Sequence, residues 1–139
     1  ILLAEIQQSS DITYRIFDWN RRGDDGKLRE LHTEQAIDAI KYFEPIDCKI
    51  DYDKRVKNKG ITLVNNKFFI TNRLFIDSEY VRYKENSFII YLCIGGKGKI
   101  VVDTNEESLK TGELVFIPAV SDSVKICPRS EMILLEVTL

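Results

Sequence analysis

Residues 5–21 read EIQQSSDITYRIFDWNR, a stretch in which Glu5, Gln7, Asp11, Arg15, Asp18 and Arg21 are interleaved with Ile6, Ile12, Tyr14, Ile16 and Trp19. Charge and apolar bulk share one short segment. Arginine stays protonated and presents its N–H donors in a rigid planar fork, equipment suited to an oxyanion, a carboxylate or a phosphate. By the two-residue period of a strand, Glu5 and Gln7 fall on one face. The plainer account is that Glu5, Gln7 and Arg15 face water from a half-exposed sheet.

The elements that would position these groups follow from the same periodicities. Alternation from Leu2 to Asp18 reads as two strands separated by the polar turn 8–11. RRGDDGK, residues 21–27, is a charged surface loop with two glycines. Thr33 is a good N-cap, Glu34 puts negative charge in the first turn, and Ile37, Ile40 and Phe43 follow on one face, so a helix of about three turns is expected until Pro45 stops it.

From Cys48 onward the pattern is one of short strands: 49–56, 61–64, 67–76, 88–94, 99–103, 113–117, 123–127 and 131–138, with Asn65-Asn66 as a hairpin turn. Eight such segments predict a mainly all-β sandwich, jelly roll or barrel with one connecting α-helix. The expected divisions are 1–33, the last strands of an incomplete domain; 34–47, the connecting helix; and 48–139, a complete β domain.

Composition narrows the partners. The chain has 139 residues, 44% of them hydrophobic and 30% charged, with 20 basic residues against 22 acidic ones and a net charge of -2. A balance so near neutrality leaves neither a basic footprint for nucleic acid nor a polybasic patch for an anionic membrane. The longest apolar run, 88–94, is far too short to span a bilayer as a helix. Cys48, Cys93 and Cys127 form no C-x-x-C pair, and so sparse and odd a count fits a reducing cytoplasm. The chain opens at Ile1 without an initiator methionine, as though cut from something longer.

Other motifs read as structure. IGGKGKIVVD, residues 94–103, is glycine-rich, but its glycines lead into a strand instead of opening a helix, so a tight β turn is expected and not a phosphate loop. His32 is the only histidine. It cannot alone supply the cluster a catalytic metal needs, and its place before a helix start suggests a structural role. Asp51, Asp53 and Lys54 read as a solvated strand end.

Gly96-x-Gly98, Gly112-Glu113 and Pro118 together resemble the turn, strand and proline pattern of cupin domains; with no histidine on these strands, a cupin here would lack a metal site. The opening string, followed by GKLRELHTEQAIDAI, resembles type I mannose-6-phosphate isomerases of the short bacterial kind, whose wording runs E-I-Q-Q-x-S-D-x-T-Y-R-x-[YF]-D-[WY]-x-R. The likeness is specific over residues 4–41 and looser over 48–139.

That resemblance implies a zinc-dependent aldose-ketose isomerase built from two cupin-like barrels, acting on a sugar phosphate. It implies that the zinc ligands lie upstream of Ile1, that this chain is the C-terminal portion and holds no metal, and that alone it is inactive without its N-terminal catalytic segment. Arg15 occupies the position of the family's active-site arginine, where a cation steadies an enediolate-like transition state. Glu5 and Gln7 are candidates to orient substrate hydroxyls or to support a metal ligand, and Asp11 to fix Arg15 by an ion pair or to cap its turn. The competing expectation is a metal-free cupin-like module that binds sugar or regulates without catalysis.

Overall fold

A computed structural model of the chain describes residues 3–9, 12–42, 49–83 and 86–139. Asp11, Phe43, Pro45, Cys48 and the expected boundary near residue 47 lie outside them. Two compact units emerge, one of Ile50–Leu139 with the first residues through Glu5, the other Ile6–Lys49.

The larger unit is a two-sheet jelly roll. Its strands are β1 Gly60–Asn65, β2 Ile70–Ile76, β3 Tyr80–Tyr83, β4 Ile89–Gly95, β5 Lys97–Val102, β6 Asn105–Lys110, β7 Leu114–Ile117, β8 Ser123–Pro128 and β9 Met132–Thr138. One sheet runs β1-β2-β9-β4-β7 and the other β3-β8-β5-β6, every pairing antiparallel. Leu74, Ile76, Tyr91, Cys93, Met132 and Leu134 from the first sheet meet Ile100, Leu109, Val124 and Ile126 from the second, all but sealed from water. Alternation decides which residues these are. Leu74 lies opposite Leu134 and Ile76 opposite Met132, so both pairs project from one face. Each such side chain contributes about 1.5–3 kcal/mol by leaving water.

The glycine-rich stretch is a corner between sheets. β4 ends at Gly95 and β5 starts at Lys97, so the chain changes sheets through Gly96 alone. Gly96 has φ of 79°, and a Cβ there would stand 1.9 Å from the Glu131 carbonyl oxygen. A Cβ on Gly98 would stand 2.4 Å from the Met132 sulfur. The hairpin after β1 forms as expected, by a different device: the Asn66 carboxamide accepts from the Phe68 and Phe69 N–H groups at 2.8 and 3.0 Å, and neither Asn65 nor Asn66 is left-handed.

Several expected elements differ. Residues 49–56 form no strand, because Asp53 Oδ1 captures the Arg55 N–H at 2.9 Å and turns the backbone out of line. β3 and β6 were not expected; β6, NEESLK, is a polar edge strand that buries only Leu109. The described residues of 2–18 contain no strand, and Ile12, Ile16 and Phe17 stay exposed. The helix, α1, spans Thr33–Ala39 with His32 and not Thr33 as its N-cap, and makes no side-chain capping bond. It ends early as Ile40 turns extended, with Ile37 and Ile40 half exposed and Ala36 alone buried.

Candidate functional site

The smaller unit is organised around one carboxylate. After Asp18 the backbone reverses through Trp19 and Asn20, whose φ values of 48° and 55° are unusual for residues with side chains, and the Arg21 N–H closes the turn on the Asp18 carbonyl at 2.9 Å. The RRGDDGK loop folds back as a small hairpin. Arg22 bridges Leu28, the Gly23 N–H donates to the Lys27 carbonyl, and Gly26 takes φ of 74°. The return carries Arg29 alongside Arg21.

Three guanidinium groups therefore converge on Asp18, whose side chain is only 5% exposed. Arg21 donates to Oδ1 through Nε at 2.8 Å and also through Nη2. Arg29 Nε stands 3.5 Å and Arg15 Nε 3.9 Å from Oδ2. Burial works against the carboxylate's charge, but the Arg21 hydrogen bond and the charges of Arg21, Arg29 and Arg15 outweigh it, holding the acid below its ordinary value. Phe17, Asn20, Leu28 and Leu31 join Asp18, Arg21 and Arg29 around a groove of about 140 Å³.

Arg15 is turned inward. Its side chain is 20% exposed, Nη1 donates to the Glu30 carbonyl at 2.9 Å, and its backbone is gripped by His32. The Arg15 N–H donates to His32 Nδ1 at 3.1 Å while the His32 N–H donates to the Arg15 carbonyl at 2.7 Å. Glu5 and Gln7 are exposed and outside any strand. They fall in different units, Glu5 with the jelly roll and Gln7 with the arginine cluster. Asp11 lies outside the described residues. Within the cluster, Arg15 is joined by Asp18, Arg21, Arg29 and His32, which sequence reasoning had not gathered. Asp18 and Arg21 stand three apart and could have been paired on that spacing; nothing in a linear reading ties Arg29 or His32 to Arg15.

A second polar cluster lies inside the jelly roll. Glu136, 2% exposed, accepts from Tyr91 Oη at 2.9 Å and Asn72 Nδ2 at 3.0 Å, with Arg82 Nε 3.6 Å away. These are register neighbours, since Asn72 and Tyr91 flank Glu136 on β2 and β4. Burial, with the negative charge of Glu136 beside it, pushes the Tyr91 phenol well above its ordinary range. The acid is satisfied, so the cluster reads as a structural network.

Zinc does not fit the donors at hand. Among the described residues no three His, Cys, Asp or Glu side chains are grouped to hold a metal, and His32 spends Nδ1 on the Arg15 backbone. Among the described residues, no helix is long and apolar enough to cross a membrane.

Two antiparallel sheets closing over an apolar interior, with a one-residue corner at Gly96, define a cupin. A cupin-2 domain protein from Shewanella frigidimarina shares this fold with a TM-score of 0.54 at 12% identity, over 60% of this chain and 81% of that one. The family model for the mannose-6-phosphate isomerase cupin domain matches residues 59–137, more than half the chain, and the chain belongs to that family. It is 29% identical over 118 residues to the mannose-6-phosphate isomerase of Streptococcus mutans serotype c, covering 85% of this chain and 37% of that protein. It is 33% identical over 121 residues to the putative mannose-6-phosphate isomerase YvyI of Bacillus subtilis, covering 85% and 38%. The crystal structure of a Bacillus subtilis mannose 6-phosphate isomerase superposes with a TM-score of 0.66 at 26% identity, over 94% of this chain and 41% of that one. The chain thus spans well under half the length of these mannose-6-phosphate isomerases.

Proposed function

We propose that the chain is the C-terminal portion of a cytoplasmic mannose-6-phosphate isomerase, interconverting mannose 6-phosphate and fructose 6-phosphate together with an N-terminal catalytic segment. The observation that supports it most directly is an inward-turned Arg15 in a chain of this family. Moving a carbonyl between C1 and C2 requires removing the adjacent proton, which gathers negative charge on oxygen. Arg15 supplies the fixed cation beside that oxygen. Its Nη1 is tied to the Glu30 carbonyl and its Nε faces Asp18, which leaves Nη2 with no protein acceptor among the described residues. Because the guanidinium is already anchored, little reorganisation is needed as charge develops.

Glu5 and Gln7 are proposed to orient the sugar hydroxyls or to support a metal ligand, and Asp11 to fix Arg15 by an ion pair or to cap its turn. The zinc of the intact enzyme would be held by segments other than these described residues, and no step assigned to this chain runs through it. The test is a coupled assay for fructose 6-phosphate formation by the full-length protein, with metal analysis. Mannose 6-phosphate turnover by a zinc-containing protein is the expected result. Sugar binding without turnover would instead favour a metal-free sugar-binding or regulatory module.

A further inference from the structure

The charge around Asp18 does not balance. Three guanidinium groups face one carboxylate, so two positive charges remain over at a single point of the smaller unit. Asp18 is the one acidic residue among the groove's lining residues; its Oδ1 is already spent on Arg21, and its Oδ2 meets Arg29 and Arg15 only as longer ion pairs. Arg29 uses only Nε toward Asp18, so both its Nη groups lack an acceptor among the described residues; Arg21 uses Nε and Nη2 and keeps Nη1. Arg21 is 61% and Arg29 38% exposed, open to a ligand from solvent, while their shared anchor is buried.

Arg21 is hydrogen-bonded to Asp18 through Nε and Arg29 is held beside it by a 3.5 Å ion pair, so their remaining N–H groups are offered side by side, the arrangement that grips a phosphate through paired hydrogen bonds. Phe17, Leu28 and Leu31 add an apolar wall that can lie against the C–H face of a carbon chain or ring. We propose that Arg21 and Arg29, anchored by Asp18 at the rim of this groove, form a phosphate-binding site that holds the phosphoryl end of the sugar-phosphate substrate. The identity of the phosphorylated ligand rests on the isomerase reading; the anion site rests on the arginine geometry alone. Arg15 does not line the groove and keeps the role given to it above, while Asp18 is the positioning residue for Arg21 and Arg29.

Calorimetric titration of the full-length protein with inorganic phosphate tests the site without turnover. The wild type binds phosphate, more weakly as salt rises. Arg21→Gln and Arg29→Gln each weaken that binding about tenfold, and raise the KM for mannose 6-phosphate in parallel with little change in kcat; Arg29→Lys recovers part of the loss. Arg29→Gln, whose side chain makes one long ion pair, decides the matter should Arg21→Gln fail to fold. Undiminished phosphate binding in Arg29→Gln, or no binding by the wild type, overturns the proposal. Phosphate bound through both arginines without fructose 6-phosphate formation keeps the anion site and removes the isomerase. Turnover with an unchanged KM in both variants keeps the isomerase and removes the anion site.

Discussion

Arg15 and His32, seventeen positions apart, clasp each other's backbone. The Arg15 N–H donates to His32 Nδ1 at 3.1 Å, and the His32 N–H donates to the Arg15 carbonyl at 2.7 Å. A nitrogen that accepts carries no proton, so the imidazole in this clasp is neutral with its hydrogen on Nε2. The one histidine of the chain is thereby a strut for the one arginine whose position matters most to the proposed chemistry.

Removing that strut should loosen Arg15 without deleting it. His32→Ala in the full-length protein is expected to lower kcat/KM for mannose 6-phosphate by about tenfold, the equivalent of one net hydrogen bond and a misplaced cation. Steady-state kinetics check this; His32→Asn, which can offer a carboxamide oxygen to the Arg15 N–H, should recover part of the activity. Equal activity in all three proteins would show that the clasp does not serve the reaction.

Arg15→Ala is expected to abolish most turnover while the zinc content of the full-length protein stays unchanged, because the side chain acts on developing charge. Arg15→Lys should restore little, since a lone ammonium cannot reproduce the fork that reaches the Glu30 carbonyl and the substrate together. Activity and metal analysis on the same preparations separate the two effects. Loss of zinc from Arg15→Ala would assign the residue to metal binding.

Asp18 sets an acid limit. Its folded carboxyl titrates below the ordinary value of 3.8. A depressed value means that the folded state favours the charged form, so the stabilisation is complete above the ordinary value and disappears as pH falls through the lower folded one. Thermal melts of the wild type and Asp18→Asn should therefore differ at pH 6, begin to approach each other only below about pH 3.8, and meet once the pH has passed the lower folded value. A difference that stays constant across this range would contradict the charge-based role.

Inside the jelly roll, Tyr91→Phe leaves Glu136 Oε2 with only the longer Arg82 contact, and should cost about 1–3 kcal/mol. Urea unfolding of Tyr91→Phe, Glu136→Gln and the double variant should show strong coupling, the second change costing less once the first is made. Additive losses would mean that the two groups do not act as one network.

Gly96 and Gly112 offer a matched pair. Both have φ near 80–90°, at 79° and 89°, but a Cβ on Gly96 collides with the Glu131 backbone whereas one on Gly112 meets open space. Gly112→Ala should cost only the left-handed strain of about 1–2 kcal/mol. Gly96→Ala should cost considerably more and disrupt the corner between β4 and β5, read as a lower urea midpoint or failure to fold. Equal losses would place the constraint in backbone conformation alone.

Strands with a dense apolar alternation were legible where a neighbour could use it. Leu74, Ile76, Tyr91, Cys93 and Leu134 all point inward as their spacing implies. The same pattern misled between Leu2 and Asp18, where the described residues form no strand and Leu3, Ile12, Ile16 and Phe17 stay exposed. β6 escaped notice for the converse reason: as an edge strand it has one buried residue, Leu109, and five polar or exposed companions.

By itself the amino-acid order determined the all-β character of residues 60–138, the glycines at the corner, the near-neutral surface and the family likeness of the opening segment, because each depends on neighbours a few positions away. Only the tertiary structure decided that Asp18 would be the hub for Arg15, Arg21 and Arg29, that His32 would brace Arg15, and that Glu136 would be satisfied between Asn72 and Tyr91. Those partnerships depend on where a left-handed turn at Trp19 and Asn20, a hairpin at Gly26 and the registers of β2, β4 and β9 bring the chain back on itself. Such distances through space are set by closure of the backbone and have no counterpart in separation along the chain.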